Sequence, residues 1–219
     1  HKEVVQKLFT ILNDKGYLEE QVSRQPYSEE SEMFLSDRYI EGDCPHCPSR
    51  TKGDQCDNCG QDFEPSDLKN LISTIDNSKV TFKETNHIYL KLPKFQENLN
   101  KWINSKSYWR PSVKNQSLGF LSNGLIDRAI TRDIDWGVEV PIKNYEKKRI
   151  YVWFEAVIGY LSASIEWAKS DKNISNNKNI WKEWWQNPDS KHFYFQGKDN
   201  IPFHTIILPA ILMGSGEYN

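Results

Sequence analysis

The chain has 219 residues, of which 37% are hydrophobic, 13% aromatic and 26% charged, enough apolar material for one large domain or two modest ones. Its 28 basic and 30 acidic side chains give a net charge of -2, which argues against nucleic-acid binding through a broadly basic surface and leaves only a local patch for that purpose. Mean hydropathy is -0.72, and no apolar run approaches the roughly 18–20 residues that cross a bilayer. Residues 1–16 are amphipathic and not leader-like, so the cytosol is the expected location.

Val4, Val5, Leu8, Phe9 and Leu12 recur at helical spacing before Gly16, predicting a helix over residues 1–16 with Gly16 as its C-cap. Residues 17–80 turn polar, with short extended pieces around the cysteines. All eight tryptophans lie at or beyond Trp102, which puts a boundary near residues 80–95. In the second half, residues 87–92 predict a strand, and 95–104 and 112–123 predict helices. Residues 149–154 predict a strand, 158–168 a helix, and 191–196 (KHFYFQ) a further strand. An apolar helix is expected over 201–213, opened by Asp199, Asn200 and Pro202. Strand–helix alternation predicts parallel pairing in an α/β domain. The tract 171–178 (DKNISNNK) reads as a surface loop, and too few strand–helix units are visible for a doubly wound sheet, so part of a larger domain is expected.

Cys44, Cys47, Cys56 and Cys59 form two CxxC pairs in CPHCPSRTKGDQCDNCG. Such clustering points to a metal, not to a secreted disulfide framework. Each pair turns tightly enough for both sulfurs to face one ion, and two pairs complete a tetrahedral thiolate shell at roughly 2.3 Å per Zn–S bond. Pro45 and Gly60 suit the turns, and His46 is a bystander. Four protein ligands leave no open position, so one structural zinc ion per chain is expected, with iron as a substitute.

Three later segments are denser in special residues than packing needs. LIDRAITRDIDWGVEVP (125–141) carries Arg128, Arg132, Asp133, Asp135 and Glu139, and by itself reads equally as a charged loop. YVWFEAVIGYLSAS (151–164) reads as an aromatic strand entering a helix, forming either a core stripe or one wall of an apolar pocket. FQGKDNIPFHTIILPA (195–210) places Gly197, Lys198 and Asp199 at a helix start, suited to polar ligand groups, with His204 one turn inside.

In combination and order, TRDIDWGVEVP, YVWFEAVIGYLS and GKDNIPFHTIILPAIL resemble the class I aminoacyl-tRNA synthetases, most closely the methionyl-tRNA synthetases. DRYIEGDCPHC…GDQCDNCG resembles the zinc knuckle of that family's connective-peptide insertion, and FKETNHIYLKLPKF the return to its catalytic domain. The resemblance implies an α/β Rossmann-like catalytic domain with a small inserted zinc-knuckle domain. Residues 1–16 would form a helix at the catalytic domain's edge, 17–92 the insertion, and 93–219 the second half of the catalytic domain. It further implies activation of methionine with ATP and Mg, then transfer to tRNA(Met), with neither DNA nor membrane as partner. Trp153, Ala156, Val157, Ile158 and Tyr160 would wall a pocket for a flexible thioether, with His204 reaching its far end. Arg132 matches the family arginine beside the bound amino acid and adenylate. Glu139, Gly197 and Asp199 match positions on the ATP side.

The family's HIGH-like motif would precede His1 and its KMSKS-like loop would follow Asn219, so this piece alone is expected to form no methionyl-adenylate. Two departures stand out. Val157 occupies the place of a family proline, which removes a φ constraint and restores an N–H. Ser28, Ser31, Ser73 and Asp76 stand where two-knuckle relatives carry further cysteines, and they make poor zinc ligands. Synthetases for leucine, isoleucine or valine carry a larger editing insertion than residues 17–92 can hold. A free-standing zinc-ribbon RNA-binding module is opposed by the acidic balance.

Overall fold

The structure is a computed structural model that describes residues 1–53, 56, 58–59, 63 and 65–216, with the side chain of Asp37 excepted. Gly60, assigned above to a turn beside the second cysteine pair, lies outside the described residues. In chain order the elements are α1 (Lys2–Asp14), β1 (Leu18–Ser28), β2 (Met33–Phe34), β3 (Ile40–Asp43), β4 (Arg50–Lys52), β5 (Lys69–Ser73) and β6 (Val80–Leu90). These are followed by α2 (Gln96–Ser105), α3 (Pro111–Ser122), β7 (Arg128–Ala129), β8 (Thr131–Arg132), β9 (Arg149–Ile150), α4 (Val152–Lys169), α5 (Lys182–Trp185) and α6 (Leu208–Ser215). The chain divides into two compact units. One comprises residues 1–19, 88–131 and 136–219, and the other residues 20–87 and 132–135.

The first unit is built on helices. Val5, Leu8, Phe9 and Leu12 form one buried stripe of α1, and Phe154, Ile158 and Leu161 form the matching stripe of α4. The rings of Phe9 and Phe154 meet edge-on at 6.2 Å. Each such fully buried side chain contributes about 1.5–3 kcal/mol through apolar burial, and these stripes join a core that includes Leu208 and Ile211 of α6. Gly16, with φ +72°, ends the first helical turn system as expected, and the Tyr17 amide bonds back to Leu12. Among the described residues no helix is long and apolar enough to cross a membrane.

The second unit is small and strand-rich. Its strands β4-β3-β5 form one antiparallel sheet, with Gly42 opposite Thr51 and Ile40 opposite Ser73. A Cβ at Gly42 would lie 2.8 Å from the Lys69 carbonyl oxygen, so only glycine permits this approach of β3 to β5. Leu35, Ile40, Phe63, Leu68 and Val80 make a separate core with Cys44 and Cys56.

Several local expectations are corrected. The strand expected over 87–92 is longer and ends at Leu90, with Glu84 and Asn86 exposed and His87, Ile88 and Leu90 buried along it. Of the run 151–154, Val152–Phe154 is helical, and only Tyr151, the N-cap, stays extended. Phe154, Val157, Ile158 and Leu161 repeat at helical spacing, and that burial overrides the β-propensity of the aromatics. Residues 191–197 take no regular secondary structure, since no strand lies along them among the described residues. Of the strand expected over 149–154 only Arg149–Ile150 (β9) forms; the strand pairs of defined register are all antiparallel, and the parallel pairing expected above is not among them. The helix expected over 201–213 is interrupted by a π-helical turn, Phe203–Ile207. Pro209 has no amide for an i→i−4 bond, and a widened turn just before it absorbs the misfit. The surface loop expected over 171–178 is found as such, mostly exposed, and is held by Asn173, whose side chain donates to the Ala168 and Asn177 carbonyls and accepts from the Ser175 amide.

Candidate metal centre and aromatic site

The four cysteines converge. Strand β3 delivers Cys44, and the Cys44 amide closes the first turn on the Ser49 carbonyl at 2.9 Å. Cys44 Sγ lies 3.8 Å from Cys59 Sγ, and Cys47 Sγ 3.7 Å from Cys56 Sγ. All four sulfurs fall within 4.8 Å of one another. A tetrahedron with bonds of about 2.3 Å has edges of about 3.8 Å, so the sulfur spacing suits a single tetrahedral ion. Cys47 is pulled down to about 6, first by the Ser49 hydroxyl, then by the Ser49 backbone amide and the Asn58 side chain. Cys56 is lowered chiefly by the Cys59 backbone amide. These donors favour thiolates, the form that binds metal. His46 is exposed and outside the ligand group, as expected.

Ser28, Ser31 and Asp76, three of the four positions assigned to a lost second cysteine set, also come together. Asp76 Oδ2 accepts the hydroxyls of Ser28 (2.7 Å) and Ser31, while its Oδ1 accepts the Ser78 hydroxyl (2.7 Å) and amide (3.0 Å). Four donors on one carboxylate hold Asp76 far below the usual carboxylate range, Ser31 contributing most. Buried Ser73 instead receives the Ile75 amide at 3.2 Å. A saturated hydrogen-bond cluster with one carboxylate and no sulfur does not suit a second zinc ion.

Along one side of α4, Trp153, Ala156 and Tyr160 are exposed, while Val157 and Ile158 are buried in the core behind them. Trp153 stacks on Phe203 at 4.5 Å and 14°. The π-helical turn carries His204, whose Nδ1 faces the Asn200 carbonyl oxygen at 2.8 Å and must therefore be an N–H there. In the neutral ring its Nε2 then accepts the Tyr160 hydroxyl at 2.9 Å. Tyr194 closes the group, 5.0 Å from the Tyr160 ring and 5.2 Å from His204. The result is a half-open aromatic surface without formal charge in this tautomer, suited to an apolar, polarisable group.

The remaining predicted residues are placed as follows. Arg132 belongs to the second unit, where it lines a small cleft with Gln25, Leu35, Ser36, His87 and Asp133. There the fully buried His87 lies 3.2 Å from Asp133 Oδ2, which also accepts the Thr85 hydroxyl at 3.0 Å. Glu139 pairs with Lys2 at 2.7 Å on the surface, which lowers its carboxyl. Gly197 opens the short turn Lys198–Asn200, and Asp199 is exposed on it. Sequence reasoning missed Tyr194, Phe203, His87 and Glu155. Glu155 is raised by burial, and one of its oxygens has no hydrogen-bond partner while the Val138 amide serves the carboxyl. Only its place in the aromatic run KHFYFQ hinted at Tyr194. The His87–Asp133 contact joins residues 46 apart, which no local pattern reports.

A family model described as "tRNA synthetases class I (M)" matches residues 1–219. The chain is 51% identical over 220 residues to a methionine–tRNA ligase of Chloroflexus aggregans, covering 99% of this chain and 36% of that protein. It is 50% identical to one from Dehalococcoides mccartyi, covering 100% and 39%, and 46% identical to one from Thermoplasma volcanium, covering 100% and 40%. The chain thus spans about two-fifths of the length of these curated relatives. The crystal structure of Mycobacterium tuberculosis methionyl-tRNA synthetase bound by methionyl-adenylate superposes with a TM-score of 0.62 at 21% identity, over 99% of this chain and 36% of that one. That likeness establishes the α/β fold of the catalytic domain of such enzymes.

Proposed function

From the membership of this chain in the class I tRNA synthetase (M) family, we propose that it is part of a methionine–tRNA ligase, which activates methionine with ATP and Mg and transfers it to tRNA(Met). The observation that carries this reading is 51% identity across 99% of the chain to a protein of that name. Residues 17–92 are the connective-peptide insertion, residues 93–219 the second half of the catalytic domain, and residues 1–16 a helix at its edge. The enzyme works in the cytoplasm.

Trp153, Ala156 and Tyr160 form the wall that meets the methionine side chain, with Val157 and Ile158 supporting it from the core and His204 at its far end. An uncharged aromatic surface suits a thioether, whose sulfur makes favourable contacts with rings. Arg132 lies beside the amino acid and adenylate, and Glu139, Gly197 and Asp199 serve the ATP side. No general base is required, because the substrate carboxylate is itself the nucleophile. Rate enhancement comes from positioning and from stabilising charge on the phosphates. Cys44, Cys47, Cys56 and Cys59 hold one structural zinc ion, which supplies folding energy to the small unit and no chemistry.

The test is methionine-dependent ATP–pyrophosphate exchange by the full-length protein that contains this chain, with leucine, isoleucine and valine as controls. Exchange with methionine alone is expected. Exchange driven by one of the other three, or by none, overturns the reading. The 219-residue piece alone is expected to give no exchange.

A further inference from the structure

Behind the Tyr160–His204 pair stands a second tyrosine–histidine pair. His192 Nε2 lies 3.0 Å from the Trp184 carbonyl oxygen and is therefore its N–H, leaving Nδ1 to accept the Tyr194 hydroxyl at 3.3 Å. The His192 ring meets Trp185 edge-on at 4.7 Å and 83°. Trp185 is 6% exposed, and its indole N–H donates to Ser164 of α4 at 3.0 Å. Tyr194 returns to α4 from the other side, its ring edge-on to Tyr160 at 65° and tilted by 55° to His204. A closed circuit therefore runs from α4 through Trp185, His192 and Tyr194 back to α4.

Tyr160 needs such support. It is 44% exposed, and a half-exposed tyrosine ring is free to change rotamer unless neighbours restrain it. We propose that Tyr194, anchored by His192, is a positioning residue that fixes the ring planes of Tyr160 and His204 and so sets the fit of the aromatic surface to an uncharged, polarisable side chain. This rests on the methionine reading above. Burial, with Tyr160 as the lesser cause, pushes the Tyr194 hydroxyl up to about 12, in keeping with a group that stays neutral and donates a hydrogen bond to His192. Ring-edge contacts of this kind fix orientation as well as energy, and a site loosened in its support loses fit before it loses chemistry.

The experiment uses the full-length synthetase with Tyr194→Leu and Tyr194→Phe, read by ATP–pyrophosphate exchange. Tyr194→Leu is expected to raise KM for methionine about threefold to tenfold, the worth of one or two aromatic contacts, with kcat and KM for ATP held within about twofold. Tyr194→Phe keeps the ring but loses the hydroxyl contact with His192, and is expected to raise KM for methionine by less than Tyr194→Leu does. An unmoved KM for methionine in Tyr194→Leu overturns the proposal, as does an equal loss in kcat and in KM for ATP. If Tyr194→Leu does not fold, His192→Leu must reproduce the methionine-specific rise, and an unchanged KM there overturns it too. Wild-type enzyme without methionine-dependent exchange would remove the parent reading and this proposal together, whereas normal wild-type exchange with unmoved variants removes this one alone.

Discussion

His204 is held at both ring nitrogens, by the Tyr160 hydroxyl at 2.9 Å from Nε2 and by the Asn200 carbonyl oxygen at 2.8 Å from Nδ1. Tyr160→Phe removes only the first contact. A hydrogen bond of this type contributes about 0.5–1.5 kcal/mol net, so KM for methionine in the full-length enzyme is expected to rise about twofold to tenfold. Steady-state exchange kinetics check this, and an unchanged KM would take the contact out of recognition.

Cys47→Ser takes one vertex from the sulfur tetrahedron. Structural zinc in small modules contributes on the order of 10–16 kcal/mol of apparent binding energy at neutral pH, which a unit whose separate core is this small cannot replace. The variant is expected to lose its metal, measured by elemental analysis as a fall from one ion per chain, and to expose the second unit to limited proteolysis. Retention of one tightly held ion would refute the assignment of Cys47 as a ligand. Two ions in the wild type would refute the single-site reading.

Asp76 is tied to Ser28, Ser31 and Ser78 as an ionised carboxylate. Its folded-state value is depressed below the ordinary 3.8, so its contribution to stability is present above that pH and fades as the pH falls below it. Asp76→Ala is expected to be less stable than wild type at neutral pH, with the gap narrowing as acid is added below about pH 4. Paired denaturant titrations across pH test this, and a constant gap would mean that the charge is immaterial.

Gly214 lets α6 approach α1. A Cβ there would lie 2.5 Å from Leu12 Cδ2 and 2.9 Å from Phe95 Cζ. Overpacking of this kind costs about 1–3 kcal/mol, so Gly214→Ala is expected to lower Tm by roughly 2–12 °C for a chain of this size. Thermal denaturation decides it, and an unaltered Tm would show that the helices can separate at no cost.

The sequence was most legible where chemistry demands fixed local spacing. Two CxxC pairs this close together point to one ion, and the four sulfurs meet as that spacing requires. The stripe of α1 was equally plain, since Val5, Leu8, Phe9 and Leu12 leave no other period. Residues 152–154 misled because aromatic and β-branched residues favour strands locally, whereas the period set by Phe154, Val157, Ile158 and Leu161 only emerges over a longer window. Within KHFYFQ only Tyr194 is not exposed: Phe193 and Phe195 are 72% and 97% exposed, while Tyr194 turns towards His204. An aromatic run of high β-propensity does not make a strand without a neighbour to receive its hydrogen bonds. The pairing of His87 with Asp133 and the gathering of Ser28, Ser31 and Ser78 around Asp76 depend on tertiary closure, which no short motif encodes.

The spacing of the four sulfurs also has a redox side. Sulfurs 3.7 and 3.8 Å apart are near neighbours for disulfide bonding once a two-electron oxidant is present, because the attacking species is the thiolate, the form that the donors around Cys47 favour. A bound ion engages those lone pairs and holds the sulfurs apart. Peroxide should therefore expel the metal and cross-link the knuckle in one event, and a thiol reductant supplied with zinc should reverse both.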